Sequence, residues 1–89
     1  MQPADLQQIA LQLTGAARAV AGAVRRAADR WPTNHRARVL SDVVVEESER
    51  HLAASPEGTV RCVQDRARLV RALYERLGRL DNAGPVRAL

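Results

Sequence analysis

The sequence is poor in the residues that mark many small specialised domains. Its single cysteine, Cys62, excludes a disulfide-stapled scaffold and any Cys₄ or Cys₂His₂ zinc site. No glycine-rich phosphate-binding loop is present. The longest apolar stretch, residues 9–24, is interrupted by Gln12 and Arg18, which argues against a membrane-spanning helix. What remains is a globular composition, 46% hydrophobic and 27% charged, in a chain long enough for one domain.

Lysine and phenylalanine are absent, and all 14 basic residues are arginine. A GC-rich genome explains this bias, because arginine and alanine codons are rich in these bases. Selection for guanidinium groups that bind carboxylate or phosphate would give the same count. Asp5 precedes the first basic residue, Arg18, so the N-terminal stretch does not resemble a secretion signal. We therefore expect a cytoplasmic bacterial protein.

Three helical segments follow from the apolar spacing and its interruptions. We expect helices at about residues 3–30, 35–54 and 56–80, within one domain over residues 1–82, and a flexible tail over residues 83–89. Trp31-Pro32 predicts the end of helix one, Thr33 or Asn34 the cap of helix two, and Ser55-Pro56-Glu57 the start of helix three. The β-branched run of Val43, Val44 and Val45 is predicted to lie within helix two. The predicted apolar face of that helix holds Ala37, Leu40, Val43 or Val44, Glu47 or Ser48, and His51 or Leu52.

Similar helix lengths and short connections favour an all-α fold. We expect an antiparallel up–down–up three-helix bundle or an extended helical hairpin. A core of valine, leucine and alanine in 89 residues is small, so we also expect dimerisation. Residues 15–28 of helix one are mostly alanine and glycine, which allows a second helix to approach closely.

The positive charge is concentrated around the first interhelical connection. The formal net charge is +4, and residues 25–38 carry five arginines against Asp29. Arginines at the N-terminus of helix two and glutamates towards its C-terminus both interact unfavourably with the helix dipole. This arrangement lowers the stability of the helix, which indicates that the charges are selected for another reason. A bundle with this pattern has a basic pole and an acidic pole. It suits an anionic partner or antiparallel pairing with a second copy.

No catalytic or metal constellation is evident in the sequence. Cys62 near the start of helix three is expected to be an ordinary buried cysteine, with a reactive thiol as the alternative. Glu47 and His51 share a helix face, but a second pair of ligands is missing. Trp31 beside the arginines is expected to cover the end of the bundle, with base stacking as the alternative. We expect no enzyme activity, no cofactor, no metal and no membrane association.

The sequence therefore predicts a non-enzymatic helical protein–protein interaction module of adaptor, chaperone, antitoxin or inhibitor type. We expect it to self-associate through the small-residue face of helix one. The predicted partner-binding residues are Ala16, Val20, Ala23, Val24, Trp31, Arg30, Arg36 and Arg38. The alternative is a nucleic-acid-binding regulator that contacts phosphates through Arg25, Arg26, Arg30, Arg36 and Arg38.

Overall fold

The computed structural model describes residues 2–83. They form three helices: α1 (Pro3–Ala28), α2 (Arg36–Leu52) and α3 (Val60–Ala83). No strand occurs between residues 2 and 83, which confirms the all-α prediction. The predicted flexible tail falls on α3 at Ala83 and otherwise lies outside the described residues.

Helix α2 begins at a histidine cap. The predicted caps, Thr33 and Asn34, lie in the preceding turn; instead, His35 Nδ1 accepts a hydrogen bond from the backbone amide of Ala37 at 3.0 Å. An imidazole nitrogen here serves the same purpose as a hydroxyl or carboxylate oxygen at a helix N-cap. The β-branched run at 43–45 lies inside α2, as predicted.

Helix α3 begins at Val60, four residues after the predicted start at Pro56. The reason is local, because the Thr59 hydroxyl accepts a hydrogen bond from the Cys62 amide at 3.1 Å and so caps the helix. Gly58 lies against the backbone of Pro3, where a Cβ atom would collide with the Pro3 carbonyl oxygen. Residues 53–59 therefore form a connection that closes against the start of α1.

The interior is formed by one buried stripe from each helix. The α2 stripe agrees with the predicted apolar face at Ser48 and Leu52, which are buried, but Leu40 and Val43 are exposed and Ser41 is fully buried instead. Ser41 and Ser48 alternate along this stripe with the buried Val45 and Leu52, so α2 brings both small and large side chains to the interior. The interior cluster comprises Ala17, Val20, Ala21, Val24, Ala28, Trp31, Val45, Leu52, Leu73 and Leu80.

The described part of the chain is elongated. Its principal extents are 56 × 20 × 15 Å, and its radius of gyration is 14.9 Å. A compact domain of this length would have a radius of gyration of about 12 Å. Helix α1 contacts α3 most extensively and α2 less so, and α2 and α3 touch each other least. One side of α2 is consequently left without a helical neighbour.

Candidate interaction surfaces

The small-residue face of α1 is largely used inside the chain. Val24 is fully buried and Val20 nearly so, because both belong to the interior cluster. Ala23 is half-buried and Ala16 is exposed. No atom outside the neighbouring backbone of α1 lies within 4 Å of the position that a Cβ atom would take at Gly15, so this glycine does not serve close helix packing. Of the four predicted anchors on α1, only Ala16 and Ala23 are accessible.

Trp31 closes one end of the interior. Only 8% of its surface is exposed, and its ring centroid lies 4.6 Å from that of His35 at an angle of 42°. Its carbonyl oxygen accepts a hydrogen bond from Arg38 Nη1 at 3.2 Å. The Trp31 side chain is therefore part of the interior, and its indole face is not available to a partner.

The arginines of residues 25–38 divide into two groups. Arg25 forms an ion pair with Glu49 of α2, and Arg38 forms one with Asp29 at 3.3 Å. Arg26, Arg30 and Arg36 are exposed and make no ion pair within residues 2–83. The sequence-predicted cluster thus supplies two arginines that tie α2 to α1 and its following turn, and three that face solvent.

Two further arginines, Arg76 and Arg79, lie in the last turns of α3. Arg76 is half-buried, and burial, followed by the neighbouring charge of Arg79, lowers the pKa of Arg76 below the usual value for arginine. Both causes disfavour the charged form of Arg76, because desolvation and a like charge each destabilise a cation. Another positive charge here is therefore unfavourable, and an anion would relieve the repulsion.

An exposed aliphatic patch on α2 is the feature that the sequence analysis missed. Val39, Leu40 and Val43 are 47%, 41% and 51% exposed, and they lie within five residues of one helix. Arg36 and Glu47, both exposed, extend the same face at helical spacing. The residues 36, 40, 43 and 47 follow the alternating four-and-three spacing of a coiled-coil seam, so the signal was present. It was assigned to the interior because Leu40 and Val43 are aliphatic.

A buried arginine is the second missed feature. Arg66 on α3 is only 4% exposed, and it precedes the buried Leu73 and Leu80 at seven-residue intervals. Its Nη2 donates to the carbonyl oxygen of Ala54 at 2.9 Å, across the connection between α2 and α3. The heptad spacing could have placed Arg66 on the inner face of α3, but a charged residue is not expected there.

The residues weighed for metal or thiol chemistry do not assemble into a centre. Cys62 is half-buried, and its Sγ accepts a hydrogen bond from the Glu57 amide at 3.3 Å. His51 and Glu47 are both exposed on α2. Between residues 2 and 83 no group of three or more histidine, cysteine, aspartate or glutamate side chains is placed to hold a metal ion.

Comparison of the chain with protein-family models, with curated proteins and with solved structures gives no match. None of the three described helices combines the length and the apolar character that crossing a membrane requires.

Proposed function

We propose that the protein is a non-enzymatic helical interaction module that forms an antiparallel homodimer through the outward face of α2. The observation that carries this proposal is the exposed aliphatic patch of Val39, Leu40 and Val43. Single exposed aliphatic residues are common on protein surfaces. Three within five residues, on the helix with the fewest neighbours, favour a partner that covers them.

The charges around the patch select the partner. Along the seam, Arg36 precedes the aliphatic pair Leu40 and Val43, and Glu47 follows it. A two-fold axis between residues 40 and 43 would place Arg36 of one copy opposite Glu47 of the other, and Leu40 opposite Val43. The face is therefore self-complementary in the antiparallel sense, as an isologous interface requires. A second copy of this chain satisfies both the apolar and the charged positions.

The expected dimer is of modest stability. Helix α2 has 17 residues and is about 25 Å long. A contact along this helix alone falls at the small end of specific interfaces, below about 1,200 Å². We therefore expect a dissociation constant in the micromolar range rather than an obligate dimer.

This proposal moves the interface from α1 to α2. It also retains the up–down–up order of the three helices, and two contacts support the antiparallel packing of the first two, α1 and α2. Arg38, early in α2, pairs with Asp29 after α1, whereas the carbonyl of Leu52, at the end of α2, accepts from Arg18 at 3.2 Å. These contacts run in opposite order along α1 and α2. In that arrangement most of the small-residue face of α1 packs within the chain and leaves α2 to meet a partner.

Sedimentation equilibrium over about 1–500 µM protein tests the interface directly. Leu40→Arg should weaken the dimer at least about tenfold, because each dimer gains two charges in its apolar centre. The matched control is Leu11→Arg, since Leu11 is an exposed leucine on α1 with a similar exposure of 48%. It should leave the dissociation constant unchanged.

A charge exchange tests the antiparallel register. Arg36→Glu and Glu47→Arg should each weaken the dimer, because each places like charges together twice per dimer. The double variant, Arg36→Glu with Glu47→Arg, should restore it. A monomer at the highest concentration, equal weakening by Leu11→Arg, or no restoration in the double variant would refute this interface.

The nucleic-acid alternative enters the same series as an outcome. Binding to a fluorescent DNA duplex that falls with salt, and that disappears in Arg36→Ala with Arg38→Ala, would favour it. The pairing of Arg25 and Arg38 with acidic residues leaves fewer free cations for phosphates than the sequence suggests, so the homodimer is the better-supported function.

A further inference from the structure

A pocket of about 460 Å³ lies where the end of α2, the connection of residues 53–59 and the first turns of α3 meet. It is separate from the proposed dimer seam and independent of it. The volume falls within the range of small-molecule sites, which is roughly 300–1,000 Å³. Its wall contains arginines, hydroxyl groups and two apolar side chains, Ala54 and Leu69.

Arg66 is one of the residues that line this pocket. It is only 4% exposed, and its Nε and Nη1 are shielded from solvent and have no hydrogen-bond partner within residues 2–83. Nη2 donates to the carbonyl oxygen of Ala54 at 2.9 Å. Buried donors of a charged group are costly when they are left unpaired, so an acceptor that reaches them from the pocket would stabilise Arg66.

The start of α3 adds further donors. The first amides of a helix lack intrahelical partners, and the helix N-terminus carries partial positive charge. The Thr59 hydroxyl satisfies the amide of Cys62, which leaves the amides of Val60 and Arg61 for another acceptor. Such a terminus is a general binding site for anions. In this protein it lies beside a buried guanidinium, which makes the site more specific.

The remaining charges of the pocket leave an excess of cations. Arg61 and Arg68 line it together with Glu57 and Asp65, and His51 contributes an imidazole. Arg68 is paired with Asp65 at 3.4 Å, so Arg61 and Arg66 face Glu57 alone. With Glu57 counted, these arginines and carboxylates leave one net positive charge, and the N-terminus of α3 adds partial positive charge, so the pocket favours an anion.

We infer that this pocket binds a small organic phosphate monoester. The phosphate oxygens accept from Arg66, Arg61 and the first amides of α3, since guanidinium groups bind phosphate through paired hydrogen bonds. The pocket is larger than a phosphate group, and Ala54 and Leu69 provide an apolar wall for the organic part. No sequence motif signals this site, because its donors come from the fold.

Two titrations of the full-length chain test the site, one with inorganic phosphate and one with phenyl phosphate, at constant ionic strength against chloride. The readouts are the amide chemical shifts of Val60 and Arg61 and the reaction rate of Cys62 with an uncharged thiol reagent. Cys62 is the single cysteine of the chain and lines the pocket, so its rate reports occupancy. We expect saturation with both probes, tighter binding of phenyl phosphate, and slower Cys62 labelling when the pocket is filled.

Variants distinguish a specific binding site from general electrostatic attraction of phosphate to a basic protein. Arg66→Gln should weaken phenyl phosphate binding at least about tenfold, because a charge-assisted hydrogen bond is lost. Arg61→Gln should weaken it by a smaller factor. Arg71→Gln, the matched control, removes the same charge from an exposed position of α3 outside the pocket and should have no effect.

The contrary outcomes are equally definite. Shifts that rise linearly without saturation, Cys62 labelling that ignores both probes, or an equal effect of Arg71→Gln and Arg61→Gln would overturn the inference. If circular dichroism shows that Arg66→Gln does not fold, the comparison of Arg61→Gln with Arg71→Gln decides the question. The dimer is measured separately by sedimentation, so failure of one proposal does not imply failure of the other.

Discussion

Helices α2 and α3 both pack on α1, but they bury different kinds of side chain. Helix α3 buries Leu73 and Leu80, which are large and aliphatic. Helix α2 buries Val45 and Leu52 as well, but its two fully buried side chains are the serines Ser41 and Ser48. Buried aliphatic surface stabilises a fold in proportion to its area, and serine contributes little of it. We therefore expect α3 and α1 to form the stable part of the molecule and α2 to be held less firmly.

The buried serines of α2 carry no penalty for unmet hydrogen bonds. The Ser41 hydroxyl donates to the carbonyl of Ala37 at 2.7 Å, and the Ser48 hydroxyl donates to that of Val44 at 2.8 Å. Each hydroxyl is thus satisfied by its own helix. Serine serves here as a small buried residue, and because its hydroxyl bonds within α2, its polarity adds nothing to the contact with another helix.

Polar contacts at the ends of α2 compensate in part. Arg18 of α1 donates to the carbonyl of Leu52, and Arg66 of α3 donates to that of Ala54. At the other end, Arg38 reaches both Asp29 and the carbonyl of Trp31. The difference between the helices is therefore one of degree: α3 relies mainly on apolar area, whereas α2 adds polar links at its ends to the smaller apolar contribution of Val45 and Leu52.

The largest expected effect is at the α3 interior. Leu73→Ala should lower the free energy of unfolding by about 2–5 kcal/mol, because it leaves a cavity at a fully buried site. Leu11→Ala, at an exposed position of α1, is the control and should change it by about 0.5 kcal/mol or less. Urea unfolding followed by circular dichroism measures both. A loss below about 1 kcal/mol for Leu73→Ala would contradict the assignment of α3 to the stable part.

The α2 contact should respond to size rather than to polarity. Ser48→Leu should destabilise the fold by about 1–3 kcal/mol, because Ser48 is fully buried and the added atoms must displace its packed neighbours. Ser48→Ala removes only a hydroxyl that bonds to its own helix, so a change of about 0.5 kcal/mol or less is expected. The same unfolding experiment compares them. If Ser48→Leu stabilised the protein, the tight packing around Ser48 would be wrong.

This contrast also explains how far the sequence could predict the structure. Leucines at 73 and 80 follow the helical period and are hydrophobic, so their burial was predictable. In α2 the period and the burial of Ser48 and Leu52 were predictable, but the burial of Ser41 in place of Leu40 was not, because Leu40 is the more hydrophobic of the two. Which of two neighbouring residues is buried depends on how α2 packs against the other helices, and a pattern within one helix does not contain that information.

The candidate sites divide in the same way. The concentration of arginines at residues 25–38 could be counted directly from the sequence. Their pairing could not, because Arg25 and Glu49 meet only when α2 packs on α1. The pocket around Arg66 likewise needs the turn at residues 53–59, whose path is fixed by the Thr59 cap and by Gly58 against Pro3. Contacts between distant segments decide both cases.

An intermediate effect is expected at the start of α2. His35→Ala should cost about 0.5–2 kcal/mol, because the amide of Ala37 loses its acceptor. His35→Asp supplies a carboxylate oxygen at the same cap and should recover most of the loss, apart from the ring contact with Trp31. Amide hydrogen exchange in the first turn of α2 is the sharper measurement, since it should quicken in the alanine variant. If these amides exchanged at the same rate in His35→Ala as in the unchanged protein, the cap would not be needed.

The smallest effect is expected for the link between α1 and α2 at Arg25 and Glu49. Both side chains are more than half exposed, at 54% and 55%, so solvent screens their attraction. A double-mutant cycle with Arg25→Gln and Glu49→Gln should give a coupling of roughly 0.2–1 kcal/mol, which falls as salt is added. A cycle with Arg68 and Asp65, an exposed pair within α3, is the control for a contact that joins no two helices. Coupling well above about 1 kcal/mol at high salt would mean that polar links hold α2 as strongly as apolar area holds α3, and the distinction between the two helices would fail.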